Sequence, residues 1–297
     1  MDEFAFIAKY LKPLAGKEAL ALKDDAAIIP GPAGLEYVVT KDALIEGVHF
    51  LQNTDPADLA YKILGVNLSD LAAMGATPRF YLCAACLNPG IDEAWMAAFT
   101  AALSEIQRQY GLALIGGDTT RHAGGLVFSI TMIGEVPAGK ALLRSGAKAG
   151  DDLWLSGQIG DAALGLKGGK FAGRYLRPQP RVELGLALRG IATAAIDISD
   201  GLVADVGHIA AASGVRVKIA AEDIPIAVEN TLELALTGGD DYELAFTAPA
   251  NVGIEKIAGQ LPLQLTKIGR VEAGVGVEVL DAAGEQLHFK RAGYTHF

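Results

Sequence analysis

Cysteine is almost missing from this chain: Cys83 and Cys86 are the two among 297 residues. Two cysteines cannot build a disulfide framework, so the reducing cytoplasm is the expected compartment. Positive charge is scarce as well. Lys and Arg number 25 against 35 Asp and Glu, giving a formal net charge of −10. That deficit argues against a nucleic-acid partner. It would also repel a polyphosphate unless cations or a local basic patch intervened. No apolar run approaches the ~18 residues of a membrane span, so no membrane partner is expected. The acidic opening Met1-Asp2-Glu3-Phe4 has no apolar leader core behind it, and no secretory signal is expected. The common phosphate-binding loops are absent too: there is no GxxxxGK[ST], no GxGxxG, no HRD and no DFG. A nucleotide would have to be held by another architecture.

What is present reads as a globular α/β (α+β) chain. Hydrophobic residues make up 51% and charged residues 20%, enough for a large core without disulfides. Strands are expected at 35–40, 81–87 and 126–136, and helices at 56–75 and 95–110. Asp55 and Pro56 read as the N-cap and first turn of the earlier helix, and Gly111 as the stop of the later one. The segment 137–150 is rich in Gly, Ala and Lys, and the domain boundary is expected within it, dividing the chain into 1–138 and 139–297. Beyond it, strands are expected near 152–156, 194–198, 215–220, 242–247 and 265–271, with helices near 202–212 and 229–237.

The informative feature is a set of aspartates in apolar or glycine-rich surroundings. Asp24 and Asp25 precede an apolar run, and Asp42 is expected just after a strand. Asp70 interrupts an apolar helix, sharing a face with Asn67, Ile63 and Met74. Asp118 follows Gly116 and Gly117, where close backbone approach is expected. Asp197 and Asp200 flank a turn, and Asp240 and Asp241 follow two glycines. One such aspartate reads as a cap or a turn residue. So many together fit hard divalent cations, because Mg²⁺ takes oxygen ligands. Such a cluster would let an acidic protein hold polyphosphate. The turn at 199–201 is expected to offer free N–H groups to a phosphate. Arg144 and Lys148 are candidate phosphate contacts, although such a pair also fits a solvated linker.

Several segments together resemble the thiamine-monophosphate kinase family. They are DDAA at 24–27, EGVHF at 46–50, NLSDLAAMGA at 67–76, GGDTT at 116–120, RSGA at 144–147, DISDGL at 197–202, GGDDYEL at 238–244 and GYTHF at 293–297. They span the chain in the family's order. The resemblance implies a two-domain fold like that of aminoimidazole-ribonucleotide synthetase. Its N-terminal mixed sheet would form a homodimer interface, and its C-terminal α/β domain would complete the substrate site. It implies ATP-dependent phosphorylation of thiamine monophosphate to thiamine diphosphate, the last step of that biosynthesis. It also implies several Mg²⁺ ions, held by Asp25, Asp42, Asp70, Asp118, Asp197 and Asp200, with Thr40 and Lys41 helping. ATP would meet Tyr110, Gly117, Asp118, Arg144 and Ser199. Thiamine monophosphate would meet His49, Asp240 and Tyr294. No covalent nucleophile is implied.

Three positions depart from the family pattern. Lys23 stands where glycine is usual, Lys41 where a hydroxyl residue often precedes the aspartate, and Asp240 where Glu is usual. The extra lysines could lower the number of bound metals. Other members of the superfamily are the first alternative. A selenophosphate synthetase would carry a reactive cysteine near its start, and no cysteine precedes Cys83. A hydrogenase-maturation relative would end in a modifiable cysteine, whereas this chain ends in Phe297. A metal-dependent phosphohydrolase would consume ATP without an acceptor. Cys83 and Cys86 fall on opposite faces of a strand, which suits a core better than zinc. His122, His208, His288 and His296 have no metal-ligand spacing.

Overall fold

The computed structural model describes residues 3–228 and 231–294. Met1, Asp2, Glu229 and His296 therefore lie outside the described residues. The chain opens with a short helix α1 (Glu3–Phe6) and helical turns reaching Leu22. Strands β1 (Ala27–Pro30) and β2 (Leu35–Ile45) follow, then α2 (Pro56–Ala73) and β3 (Thr77–Leu87). The first half is completed by α3 (Glu93–Tyr110), β4 (Ala113–Arg121) and β5 (Val127–Pro137). Its five strands form one mixed sheet in the order β1-β2-β5-β3-β4, with β3 and β4 parallel and the other pairs antiparallel.

The second half opens with β6 (Asp151–Ser156) and the short helices α4 (Asp161–Gly165), α5 (Ala172–Leu176) and α6 (Val182–Leu188). Strand β7 (Ala194–Asp197), helix α7 (Leu202–Ser213), strand β8 (Arg216–Ala220) and helix α8 (Leu232–Thr237) come next. Strand β9 (Leu244–Pro249), helix α9 (Ile254–Ala258) and strands β10 (Leu265–Glu272) and β11 (Gly276–Leu280) end it. The second sheet runs β11-β8-β10-β6-β9-β7.

Local chemistry sets the helix ends as expected. The Asp55 carboxylate accepts from Ala57 N at 2.8 Å and Asp58 N at 3.4 Å, with Pro56 in the first turn. Asp92 caps α3 by accepting from Trp95 N at 2.8 Å. Gly111 ends α3 in the left-handed region at φ 67°.

Helix α2 organises the molecule. It packs on β2, β5 and α3 of its own half, and on α5, α6 and β7 of the other. Most of its residues are buried, including Ile63, Leu64, Asn67, Leu68 and Leu71. A helix apolar on nearly every side belongs between two layers. Gly185 on α6 permits the approach, since a Cβ there would lie 2.0 Å from the Ala72 carbonyl oxygen. One apolar core accordingly runs from Val38 and Phe128 through α2 to Leu184, Ala195 and Phe246. No helix among the described residues is long and apolar enough to cross a membrane.

The structure departs from the sequence reading at three places. Strand β2 continues to Ile45, so Asp42 lies within it and not after it. Lys41 and Asp42 interrupt the apolar run, but pairing with β5 persists to Ile45↔Val127. The segment at 113–121, for which no element was expected, is a strand. Its two glycines and its exposure at the sheet edge hide the strand pattern. Gly117 is required there, because a Cβ would stand 1.9 Å from the Cys83 carbonyl oxygen. The 229–237 helix begins, among the described residues, at Leu232.

Candidate active site

The segment before β1, helix α2 and strand β7 deliver three carboxylates to one point. Asp25 precedes β1, Asp70 lies near the end of α2, and Asp197 ends β7. One oxygen from each lies within 4.8 Å of the others. The Thr40 hydroxyl donates to Asp70 across 30 residues. The Ser69 hydroxyl donates to Asp197 at 2.6 Å across 128 residues. Asp25 is paired with the Arg144 guanidinium at 2.6 Å, and Asp24 accepts from Arg144 N at 2.7 Å. Yet Asp25 Oδ2 and Arg144 Nε are buried without a hydrogen-bond partner. A buried carboxylate oxygen with no donor, facing two more carboxylates, is the donor set of a hard divalent cation. The residues present therefore fit Mg²⁺.

The electrostatics agree. Burial pushes Asp42 up to about 6 and Asp197 up to about 8. Asp70 is raised well above the usual carboxylate range, by burial first and then by repulsion from Asp42, Asp197 and Asp25. The unfolded carboxyls titrate near ~4, so the folded, metal-free protein binds more protons between pH 4 and 8. Its stability must then fall as pH rises through that window, and cations must restore it. We expect the melting temperature of metal-free protein to drop from pH 6 to pH 8. Mg²⁺ at about a hundred times its Kd should stabilise the protein at pH 8 by about 2.7 kcal/mol, a rise in melting temperature of roughly 5–10 °C. The same addition at pH 5 should do little. Differential scanning calorimetry at several pH values, with and without Mg²⁺, reads this directly. A melting temperature indifferent to both variables would remove the cation site.

A cavity of about 680 Å³ opens beside the cluster, between the two halves. Asp42, Asp70, Asp197, Ser199 and Asp200 are among the residues that line it. His49, Lys62, Tyr175, Asp240, Arg291 and Tyr294 line it as well. His49 is oriented by Ile45 N, which donates to its Nδ1 at 3.1 Å. Tyr294 is tied to the 199–201 turn through its backbone N, 2.9 Å from the Asp200 carbonyl.

The comparisons follow the same outline. Residues 23–136 match the family model for AIR synthase related protein, N-terminal domain, and residues 148–282 match its C-terminal domain. The thiamine-monophosphate kinase of Escherichia coli (strain K12) is 41% identical over 321 residues, covering 99% of this chain and 98% of its own. The crystal structure of thiamine-monophosphate kinase from Stenotrophomonas maltophilia K279a is 42% identical, with a TM-score of 0.80 over 96% of this chain and 98% of that one. AaThiL complexed with AMPPCP and TMP is 31% identical, with a TM-score of 0.88 over 100% of this chain and 97% of that one. The chain belongs to the thiamine-monophosphate kinase family.

Set against the thiamine-monophosphate kinase motifs, the structure brings together most of the residues carried over by resemblance. Asp25, Thr40, Asp70, Asp197 and Arg144 are joined by hydrogen bonds, ion pairing or close approach. Asp42, Ser199, Asp200, His49, Asp240 and Tyr294 line the adjoining cavity. Lys41 borders that cavity, but its Nζ donates to Thr131 Oγ1 at 3.3 Å on the other face of the sheet. Its ammonium therefore does not enter the acid cluster. Lys23 is exposed.

Other residues are not brought together within one chain. Asp118 pairs with Ala84, which pairs with Ser129, which pairs with Ala43. Residues in register share a face, so Asp118 projects to the side opposite Asp42. Three strand spacings also separate it from β2, about 14 Å. Gly117 stands beside it on the same edge strand. Tyr110 ends α3 and lines a groove with Tyr61, Gln109 and Pro180, apart from the acid cluster.

The 199–201 turn is not the expected anion cradle. Asp205 Oδ2 accepts from Ser199 N and Asp200 N at 3.1 Å each and from Gly201 N at 3.0 Å. The carboxylate of α7 occupies the donors that a phosphate would need. Asp205 was not singled out from the sequence, although its place in the first turn of an expected helix was a signal. Asp241 acts similarly, accepting from Gly160 N at 2.8 Å and Ala162 N at 3.2 Å at the start of α4. Lys62, a lone charge in an apolar helix, and Glu243, behind two aspartates in GGDDYEL, were missed as well, because neither setting names a partner.

Proposed function

We propose that this protein transfers the γ-phosphoryl group of ATP to the phosphate of thiamine monophosphate, giving thiamine diphosphate and ADP. The observation that carries this reading is one cavity lined by Asp42, Asp70, Asp197 and Asp200 together with His49, Asp240 and Tyr294. The AaThiL complex with AMPPCP and TMP, similar over the whole chain, supports it.

The acceptor oxygen of a phosphate monoester is already ionised, so the transfer needs no general base and no protein nucleophile. Catalysis is alignment and charge neutralisation. Asp25, Asp42, Asp70, Asp197 and Asp200 are the residues that would hold Mg²⁺, with Thr40 orienting Asp70. When bound, the cations would offset the negative charge gathered on the phosphoryl oxygens. Arg144 holds Asp25 and adds the cluster's own positive charge. Ser199, whose backbone N–H is occupied by Asp205, offers its hydroxyl to ATP. His49, Asp240 and Tyr294 orient the thiamine end.

The protein works as a homodimer in this reading. Helices α2 and α3 pack on the face of the first sheet that carries Thr40 and Phe128. The other face presents Tyr37, Val39, Phe80, Leu82 and Ile133, all half-buried or exposed. Leu114 and Ile115 on the edge strand β4 are more than half exposed. A second copy covering this face would shield both the apolar side chains and the open edge. It would also give Gly117 and Asp118, on that edge strand, a route to a site in the partner. The units 1–138 and 139–297 are the domains of this reading, supported by the gap between the two family matches. The cytoplasm is its compartment.

Incubation with Mg-ATP, with and without thiamine monophosphate, tests the proposal after chromatographic separation of the thiamine phosphates. Thiamine diphosphate should form only when both are present, and ATP alone should leave no phosphoryl group on the protein. ATP consumed without acceptor would indicate a phosphohydrolase. Bound ATP with no diphosphate formed would move the acceptor to another molecule.

A further inference from the structure

A buried lysine joins the two halves at the cavity. Lys62 lies on α2, two helical turns before Asp70, and both border the same space. Its side chain is 1% exposed, and its ammonium stands 3.2 Å from Asp240 Oδ2. It also donates to the Tyr175 carbonyl at 2.9 Å and lies 3.9 Å from the centroid of the Tyr175 ring. Asp240 and Tyr175 both belong to the second half. An apolar side chain would fill this place at lower desolvation cost, so packing alone does not account for an ion here.

Asp240 is unusual in its backbone as well. It is a non-glycine residue at φ 69°, and Tyr242 stands at φ 52°. Such conformations are strained and persist where their surroundings enforce them. The loop is pinned by Asp240 N to the Ser199 carbonyl at 2.9 Å and by Tyr242 N to the Ile198 carbonyl at 2.8 Å. The Tyr242 hydroxyl donates to Asp240 Oδ1 at 2.9 Å. One oxygen of Asp240 is thus held by Tyr242 and the other by Lys62. The side chain remains 32% exposed toward the cavity. A carboxylate gripped at both oxygens keeps its free lone pairs in one direction.

We propose that Lys62 is a positioning residue for acceptor recognition. From the first half it orients Asp240 of the second, so that this carboxylate meets the cationic or hydrogen-bond-donating part of the acceptor. The inference rests on the kinase reading above. Lys62 does not contact the acceptor itself, because Asp240 and Tyr175 occupy its ammonium. Tyr175 also donates to the His49 carbonyl at 3.3 Å, so the effect should spare ATP, and the double variant decides whether it passes through Asp240.

The test uses wild type, Lys62→Met, Asp240→Asn and the double variant, with KM for thiamine monophosphate and for ATP, and kcat, measured on each. Asparagine tolerates the left-handed backbone at 240 and removes the charge. Lys62→Met should raise KM for thiamine monophosphate about tenfold or more, with KM for ATP changed by less than about twofold. In the Asp240→Asn background the same change should add less than about twofold. Equal rises in both KM values, a loss in kcat alone, or a full tenfold effect without the carboxylate would each overturn the inference. Should Lys62→Met not fold, the double variant contains no unpaired buried charge, and its comparison with Asp240→Asn decides. Wild type that forms no thiamine diphosphate would overturn the kinase reading and this inference together. Wild-type activity with the contrary pattern would overturn the inference alone.

Discussion

Asp70→Asn should reduce thiamine diphosphate formation by about 10²–10³-fold or more in kcat, the usual cost of removing one preorganised electrostatic group. Asp70 is central because three chain segments meet at its carboxylate. It accepts from Thr40, lies with Asp25 and Asp197, and shares the cavity wall with Asp42. Asparagine keeps the shape and can still accept from Thr40. It removes a charge that three other aspartates repel. The metal-free variant should therefore melt no lower than wild type at pH 8, and Mg²⁺ should stabilise it much less. Activity and stability are expected to move in opposite directions. A variant that lost stability but kept its rate would take Asp70 out of the cation site and make it an ordinary core residue.

Glu243→Ala should have the largest effect on stability, about 3–5 kcal/mol. Glu243 is fully buried immediately before β9. Its carboxylate accepts from the Ser156 hydroxyl at 2.6 Å and from Arg174 at 2.9 Å, and it is paired with Arg181 through two nitrogens. Both arginines have 18% of their side chains exposed. Removing the carboxylate leaves two guanidinium groups largely desolvated and unpaired. Arg174 and Arg181 lie on the excursion between β6 and β7 that packs against α2. The variant should thus loosen the second half where it meets the first. For a protein of this size the melting temperature should fall by roughly 10 °C. Glu243→Gln keeps hydrogen-bond acceptance without the charge and should cost less. Neither change should alter the increment that Mg²⁺ adds. Loss of that increment would mean that Glu243 belongs to the cation site.

Much of the architecture was legible because its causes are local. Asp55-Pro56 and Gly111 marked helix ends through backbone chemistry that needs no distant partner. Strand β5 alternates buried and half-buried residues and was evident from its β-branched apolar run. The short edge strands were less so. β4 is interrupted by glycines and exposed, β1 has four residues, and β11 was not expected at all. These three edge strands bury too little to impose a pattern, whereas the edge strand β7 is buried throughout and was expected.

The aspartates divide along the same line. Their number and their apolar settings were visible in the residue order, and so was their match to a kinase family. Their partners were not. Asp70 and Asp197 are 127 positions apart, and α2 packing on β7 brings them together. Asp118 carries the same kind of signature, yet β-sheet register turns it to the opposite face. Asp205 looks like any first-turn carboxylate, and only the folded turn shows it occupying three N–H groups. Lys62 gives no sign in the sequence of the aspartate that it meets across the interface. Residue order alone was enough for the chemistry available to the chain, since each side chain carries its own charge and donors. Which charges face one another was decided by packing and register, because those depend on contacts between residues far apart in the chain.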